Sequence, residues 1–185
     1  SVVPPLTGTL VQACRQYLGH DPLVVDAGVR TGVKVRYEDP KQVGADRVVD
    51  AAAVQKLYGG PACIVDFGTA TTFDAISAEG DYLGGAIAPG VGIAAEALFQ
   101  RAAKLPRVDL VRPPSAIGRN TVHSIQSGLL FSYVGLVEGM VVRFRAELGP
   151  KMKVIGTGGL AEIIAQETKV IEIIAPWLTL EGLRI

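Results

Sequence analysis

The sequence predicts an α/β fold, and three observations carry that prediction. Two short apolar runs, Ala62-Cys63-Ile64-Val65 and Val154-Ile155, each enter a glycine turn, Asp66-Phe67-Gly68-Thr69-Ala70-Thr71-Thr72 and Gly156-Thr157-Gly158-Gly159-Leu160. A hairpin pattern spans residues 73–87, turning at Glu79-Gly80-Asp81. Segments of helical periodicity alternate with these strands. Continuous apolar strands suit a sheet covered on both faces. Glycine turns at strand carboxyl ends stand where open α/β sheets place their ligands.

Taken in order, Ser1-Val2-Val3-Pro4-Pro5 reads as the tail of a strand ended by its prolines, with Thr7 capping a helix that carries Leu10, Val11, Cys14 and Leu18. Leu23-Val24-Val25 reads as a short strand. Residues 37–44 are turn-rich around Asp39-Pro40, and Ala45-Asp46-Arg47 heads a helix running to about Tyr58. After Gly59-Gly60-Pro61 come the strand 62–65, the hairpin strands 73–77 and 82–87, and an Ala-rich helix over 93–103. Residues 121–148 form the longest helical candidate, with Ile125, Leu129, Val137, Val141 and Phe144 on one stripe. Its glycines, Gly128, Gly135 and Gly139, are costly in a free helix and point to close packing, a second subunit included. Strand 154–155, a helix after Leu160, strand 170–174 and a helix over 178–185 complete the series.

Composition narrows the function classes. The 185 residues are 49% hydrophobic, enough for a full core, and 18 basic residues balance 18 acidic ones. That balance speaks against nucleic acid or a charged membrane surface as partner. Cys14 and Cys63 lie in apolar surroundings and read as reduced thiols. No run of about 20 apolar residues and no secretory leader is visible, so a cytoplasmic protein without a membrane span is expected. His20 and His123 are not spaced as metal ligands.

The chemistry concentrates in three places. In the first glycine turn, Gly68 permits a close backbone approach, and Thr69, Thr71 and Thr72 offer hydroxyls and main-chain N–H groups to phosphate oxygens, with Asp66 facing a cation. An ordinary β-turn with a self-capping Asp is the plain alternative. The second glycine turn is read either as a tight strand-to-helix connection or, with the first, as part of a nucleotide cleft. Neither GxxxxGK[ST] nor GxGxxG occurs, so phosphate binding falls to these loops. The third place is Gly44-Ala45-Asp46-Arg47, where a carboxylate able to take a proton adjoins a guanidinium able to hold a carboxylate or phosphate. Against that stands a helix-capping Asp46 with Arg47 paired on the surface.

Five motifs occur in an order that resembles the type III pantothenate kinase (Bvg accessory factor) family. They are Gly44-Ala45-Asp46-Arg47, Asp66 to Thr72, Gly84-Gly85-Ala86-Ile87-Ala88-Pro89-Gly90, Ile117-Gly118-Arg119-Asn120-Thr121 and Thr157-Gly158-Gly159-Leu160. The resemblance implies two ribonuclease-H-like lobes of the acetate and sugar kinase, Hsc70 and actin superfamily. Residues 1–60 would be the remainder of an N-terminal lobe missing its first strands, and 61–185 the C-terminal lobe. It further implies ATP-dependent phosphorylation of pantothenate to 4'-phosphopantothenate, the first step of coenzyme A synthesis, with Mg2+ and a monovalent cation (K+ or NH4+), by a homodimer whose active site lies near the subunit interface. Alternatives on the same fold are a non-catalytic regulator and another small-molecule kinase.

Position by position, Asp46 matches the family's proton acceptor, and Tyr37, Gly44, Ala45, Asp46, Arg47 and Thr121 match its pantothenate contacts, Thr121 across the interface. Thr69, Gly158 and Gly159 match the ATP contacts, and Asp66 the monovalent-cation ligand. Thr121 also reads as a cap of the long helix. Three departures accompany the match. The family's opening Asp-x-Gly-Asn-Thr loop, which holds ATP phosphates and helps place magnesium, is not among these residues, so an N-terminally incomplete chain is expected. Asp50 stands where relatives commonly carry Asn, and Ser132 where Gly is common.

Overall fold

The computed structural model describes residues 3–26, 29–102 and 104–185. Its centre is a five-stranded sheet built from β1 (Ala62–Phe67), β2 (Ala70–Ile76), β3 (Tyr82–Pro89), β4 (Lys153–Thr157) and β5 (Ile173–Ile174). The spatial order is β3-β2-β1-β4-β5. Strands β1 to β3 form an antiparallel meander, while β4 pairs parallel to both β1 and β5. A parallel neighbour needs a crossover. Here the crossover from β3 to β4 carries α3 (Val91–Arg101) and α4 (Thr121–Leu148).

The period of two along β1 decides what each face does. Cys63, Val65 and Phe67 point toward α4 and join Phe73, Leu130, Val134, Val137, Val141, Met152 and Val154 in one core. Ala62 and Ile64 point the other way. With Ile76, Tyr82 and Ile155 they meet Val48, Ala51 and Val54 of α2 (Ala45–Leu57) and Leu178 of α6 (Leu178–Arg184). Both faces are therefore covered, as the apolar runs predict. Each large side chain fully buried this way contributes about 1.5–3 kcal/mol. The short α5 (Ala161–Ala165) follows β4 and closes the α4 side.

Helix α4 runs over the same 28 residues that the periodicity marks. It is long and apolar enough to cross a membrane by composition, but half of that stretch is buried within the protein, as the core helix of a folded domain requires. The stripe Ile125, Leu129, Val137 and Val141 is buried, whereas Gly128 and Gly135 face open space in this chain.

Three expectations change. The helix α1 (Pro4–Ala13) begins at Pro4, not beyond Thr7, with Val3 before it, and continues as one π-turn, Cys14–Leu18. Proline needs no N–H partner in a first helical turn, so the pair starts a helix where it was expected to end a strand. The Ser1-Val2 part of that strand lies outside the described residues, as does the expected helix end at Ala103. Leu23-Val24-Val25 forms no strand because no described strand pairs with it. Finally, β5 keeps only Ile173–Ile174 of the expected 170–174 segment, since Thr168 turns the chain before it by accepting from the Val170 N–H. Both cysteines are free.

Candidate functional site

The β1–β2 connection is a tight hairpin and not an extended phosphate loop. Asp66 pairs with Thr72 and Phe67 with Thr71, which leaves Gly68, Thr69 and Ala70 at the turn, Ala70 already pairing with Pro89 of β3. The expectation of three available threonines therefore narrows to one. Thr71 is fully buried with an unpartnered hydroxyl, and the Thr72 hydroxyl donates to Asp74 at 3.2 Å. Thr69 stays exposed at the tip, its carbonyl accepting from the Gly90 N–H.

Strand alternation places Asp66 on the α2 face, beside Ile64. Both glycine turns meet there. A Cβ on Gly158 would lie 2.4 Å from Asp66 Oδ1 and 2.7 Å from the Phe67 carbonyl oxygen, at a φ of +86° that favours glycine. A Cβ on Gly68 would stand 3.6 Å from Asp66 Oδ2. Burial first, and then the negative charges of Asp46 and Asp74, push Asp66 up to about 6. Gly159 is exposed, with open space around it.

The head of α2 supplies the second group. Gly44 precedes the helix, and a Cβ there would come within 2.5 Å of Asp46 Oδ1, so glycine makes room for that carboxylate. Asp46 sits in the first turn beside Ala45 and accepts from the Arg47 N–H at 2.9 Å; it does not cap the helix. Ala45 and Asp46 line a cleft of about 420 Å³ whose other walls include Leu10, Leu23, Thr179 and Leu183.

Arg47 is not a surface ion pair. Its side chain is 11% exposed, and its Nε donates to Asp74 Oδ1 at 2.7 Å. Nη2 lies 2.7 Å from the same oxygen, so Asp74 engages the guanidinium through both Nε and Nη2. The guanidinium carbon stands 5.6 Å from the Tyr82 ring centre, a cation–π arrangement. Asp74 is 1% exposed and also accepts from the Tyr82 hydroxyl at 3.0 Å. Burial raises its pKa, while the Arg47 charge and these hydrogen bonds oppose the rise. Tyr37 completes the cluster, 6.4 Å from Tyr82 between ring centres and against Gly84.

Asp50, one turn beyond Asp46, is 2% exposed. Burial, only partly offset by its hydrogen bond with Thr179, pushes it up to about 7. Among the described residues no group of three His, Cys, Asp or Glu is placed to hold a metal ion. Thr121 is exposed in a different cleft, of about 780 Å³ between α3 and α4, and this chain does not bring it to Asp46. The cap of α4 is Asn120, whose side chain accepts from the His123 N–H at 2.8 Å, so the capping role expected of Thr121 falls one residue earlier.

The type III pantothenate kinase profile matches residues 1–143. The type III pantothenate kinase of Moorella thermoacetica is 60% identical over 185 residues, covering 100% of this chain and 73% of the relative. That of Roseiflexus sp. strain RS-1 is 55% identical over 184 residues, covering 100% and 72%. The chain belongs to the type III pantothenate kinase family.

A solved structure from Campylobacter jejuni, described as a Baf family transcriptional activator, superposes with a TM-score of 0.56 at 21% identity, over 82% of this chain and 65% of that one, and shows a shared fold. In this member of the type III pantothenate kinase family, sequence reading misses Asp74, Tyr82 and the burial of Asp50. One signal was available. Asp74 shares strand parity with Ile76, so the hairpin pattern itself puts a carboxylate on a buried face, where it requires a partner.

Proposed function

We propose that this chain phosphorylates the primary hydroxyl of pantothenate with ATP, giving 4'-phosphopantothenate at the start of coenzyme A biosynthesis. One observation carries the reading at the level of residues: two glycine turns converge on Asp66, on the sheet face that also holds Asp46 and Arg47. Backbone without Cβ atoms admits a nucleotide closely, and a neighbouring carboxylate and guanidinium are what a hydroxyl acceptor of phosphate needs.

In this reading Thr69, Gly158 and Gly159 contact ATP. Tyr37, Gly44, Ala45 and Arg47 hold pantothenate, with Arg47 on its carboxylate. Asp46 is the base. As the hydroxyl oxygen bonds to the γ-phosphorus and the bond to the ADP oxygen breaks, the hydroxyl proton passes to Asp46.

Charge supports a cation. Asp46, Asp50, Asp66 and Asp74 interact electrostatically, and Arg47 is the cation that acts on Asp74 among them. A polyphosphate would enter a negative neighbourhood unless ions came with it. Asp66 fits a monovalent cation, K+ or NH4+, as a single carboxylate. Mg2+ is bound through one or two carboxylates plus substrate phosphates, so the absence of an acidic cage among the described residues is compatible with it.

The division into residues 1–60, the remainder of an N-terminal lobe, and 61–185, a C-terminal ribonuclease-H-like lobe, belongs to the same proposal. It is supported by the complete β3-β2-β1-β4-β5 sheet lying within 61–185. So does a cytoplasmic homodimer that uses neither nucleic acid nor membrane, in which Thr121 and the open Gly128–Gly135 face of α4 meet a second copy. Balanced charge and the exposure of Thr121 support it. The test is Asp46→Asn in the full-length protein, assayed with ATP, Mg2+ and K+. A loss of turnover of about 10²- to 10⁴-fold is expected. Unchanged turnover would remove Asp46 from the role of base.

A further inference from the structure

We infer that Asp74 is a positioning residue for substrate recognition: it fixes the Arg47 guanidinium so that its terminal N–H groups are presented to the carboxylate of the acceptor substrate. This rests on the assignment of Arg47 to that carboxylate.

The two residues lie 27 positions apart and meet because α2 packs on the sheet face that carries Asp74. An arginine has five N–H donors in a planar fork. Among the described residues, the protein's one hydrogen bond to this fork is from Nε to Asp74 Oδ1, at 2.7 Å. Asp74 Oδ1 also lies 2.7 Å from Nη2, so the fork is held through Nε and Nη2 and keeps Nη1, which makes no hydrogen bond among the described residues, for a second partner.

Asp74 is itself over-determined. The Tyr82 hydroxyl at 3.0 Å and the Thr72 hydroxyl at 3.2 Å also donate to it, so the carboxylate cannot swing with the arginine. Tyr82 contributes twice, since the Arg47 guanidinium also lies over its ring. Gly85 clears the remaining side: a Cβ there would stand 2.9 Å from Arg47 Nη2 and 1.8 Å from the Phe73 carbonyl oxygen. A fork locked in orientation recognises a planar carboxylate with little further loss of side-chain freedom. A free arginine would recognise it less well.

The experiment compares Asp74→Asn, Tyr82→Phe and Arg47→Gln in the full-length enzyme, using pantothenate and its uncharged primary amide as acceptors. Asp74→Asn should raise the pantothenate KM by about 10- to 100-fold, the weight of a charged hydrogen bond. The KM for ATP should not move, kcat should hold within about threefold, and the amide KM should stay near wild type. Tyr82→Phe keeps the ring and should show the same pattern more weakly, which preserves the test if Asp74→Asn does not fold. Equal losses on both acceptors, or a loss confined to kcat, would overturn the inference. If Arg47→Gln raises the pantothenate KM and Asp74→Asn does not, the inference alone fails. If Arg47→Gln leaves that KM unchanged, the assignment of Arg47 fails instead.

Discussion

Replacing Asp50 by Asn should stabilise the protein, and by an amount that grows with pH. The Asp50 carboxyl is 2% exposed and raised from 3.8 to about 7, mainly by burial and further by the charges of Asp66, Asp74 and Asp46. The folded protein therefore holds a proton that the unfolded chain has released, and stability is lost as pH rises from about 4 to about 7. Each pH unit of that window is worth about 1.4 kcal/mol, so the interval from 3.8 to about 7 sets a ceiling of about 4 kcal/mol. Asn keeps the shape and the Thr179 partner, leaves one buried atom unpartnered as Asp does, and removes the titration. Urea denaturation should show the two proteins converging near about pH 4 and Asp50→Asn more stable by up to about 4 kcal/mol at about pH 8. In thermal melts the same gain is about 8–16 °C for a chain of this size. A difference that does not vary with pH, or a variant less stable than wild type at about pH 8, would refute the reasoning.

Gly158→Ala forces a Cβ to 2.4 Å from Asp66 Oδ1 at a left-handed φ, so Asp66 must move. The backbone strain alone costs about 1–2 kcal/mol. Steady-state kinetics should show a raised KM for ATP and a weakened response to K+, with the pantothenate KM little changed. Cys63 is fully buried and its thiol is pushed up to about 12 by burial, whereas Cys14 is half-buried. Thiol labelling at about pH 8 should consume one equivalent in the folded protein and a second only after denaturation. Leu130→Ala opens a cavity between α4 and the sheet at a fully buried position, and denaturant titration should register a loss of about 2–5 kcal/mol.

The elements that could be read in advance are those specified by local hydrogen bonding and periodicity. Helix α4 matches its apolar stripe from end to end, and β1 and β3 start where the apolar run and the Glu79-Gly80-Asp81 turn put them, whereas β2 begins at Ala70, three residues before the expected strand. At residues 23–25 and in the row of threonines a distant partner decided. Leu23-Val24-Val25 has strand composition, but a strand exists only against a neighbour. Thr71 and Thr69 look alike in a row of hydroxyls, yet register sends the first into the α4 core and leaves the second at an exposed turn.

The same division runs through the site. Composition and motif order by themselves determined the α/β class, the family, the two glycine turns and the Asp46-Arg47 pair, because each depends on residues adjacent in the chain. Only the tertiary structure decided that both turns close on Asp66, that Arg47 is held from beneath by Asp74, and that Asp50 is buried. Those outcomes depend on strand register and on α2 packing against one face of the sheet. Both are long-range, and a one-residue shift in register would send Asp66 and Asp74 to the opposite face.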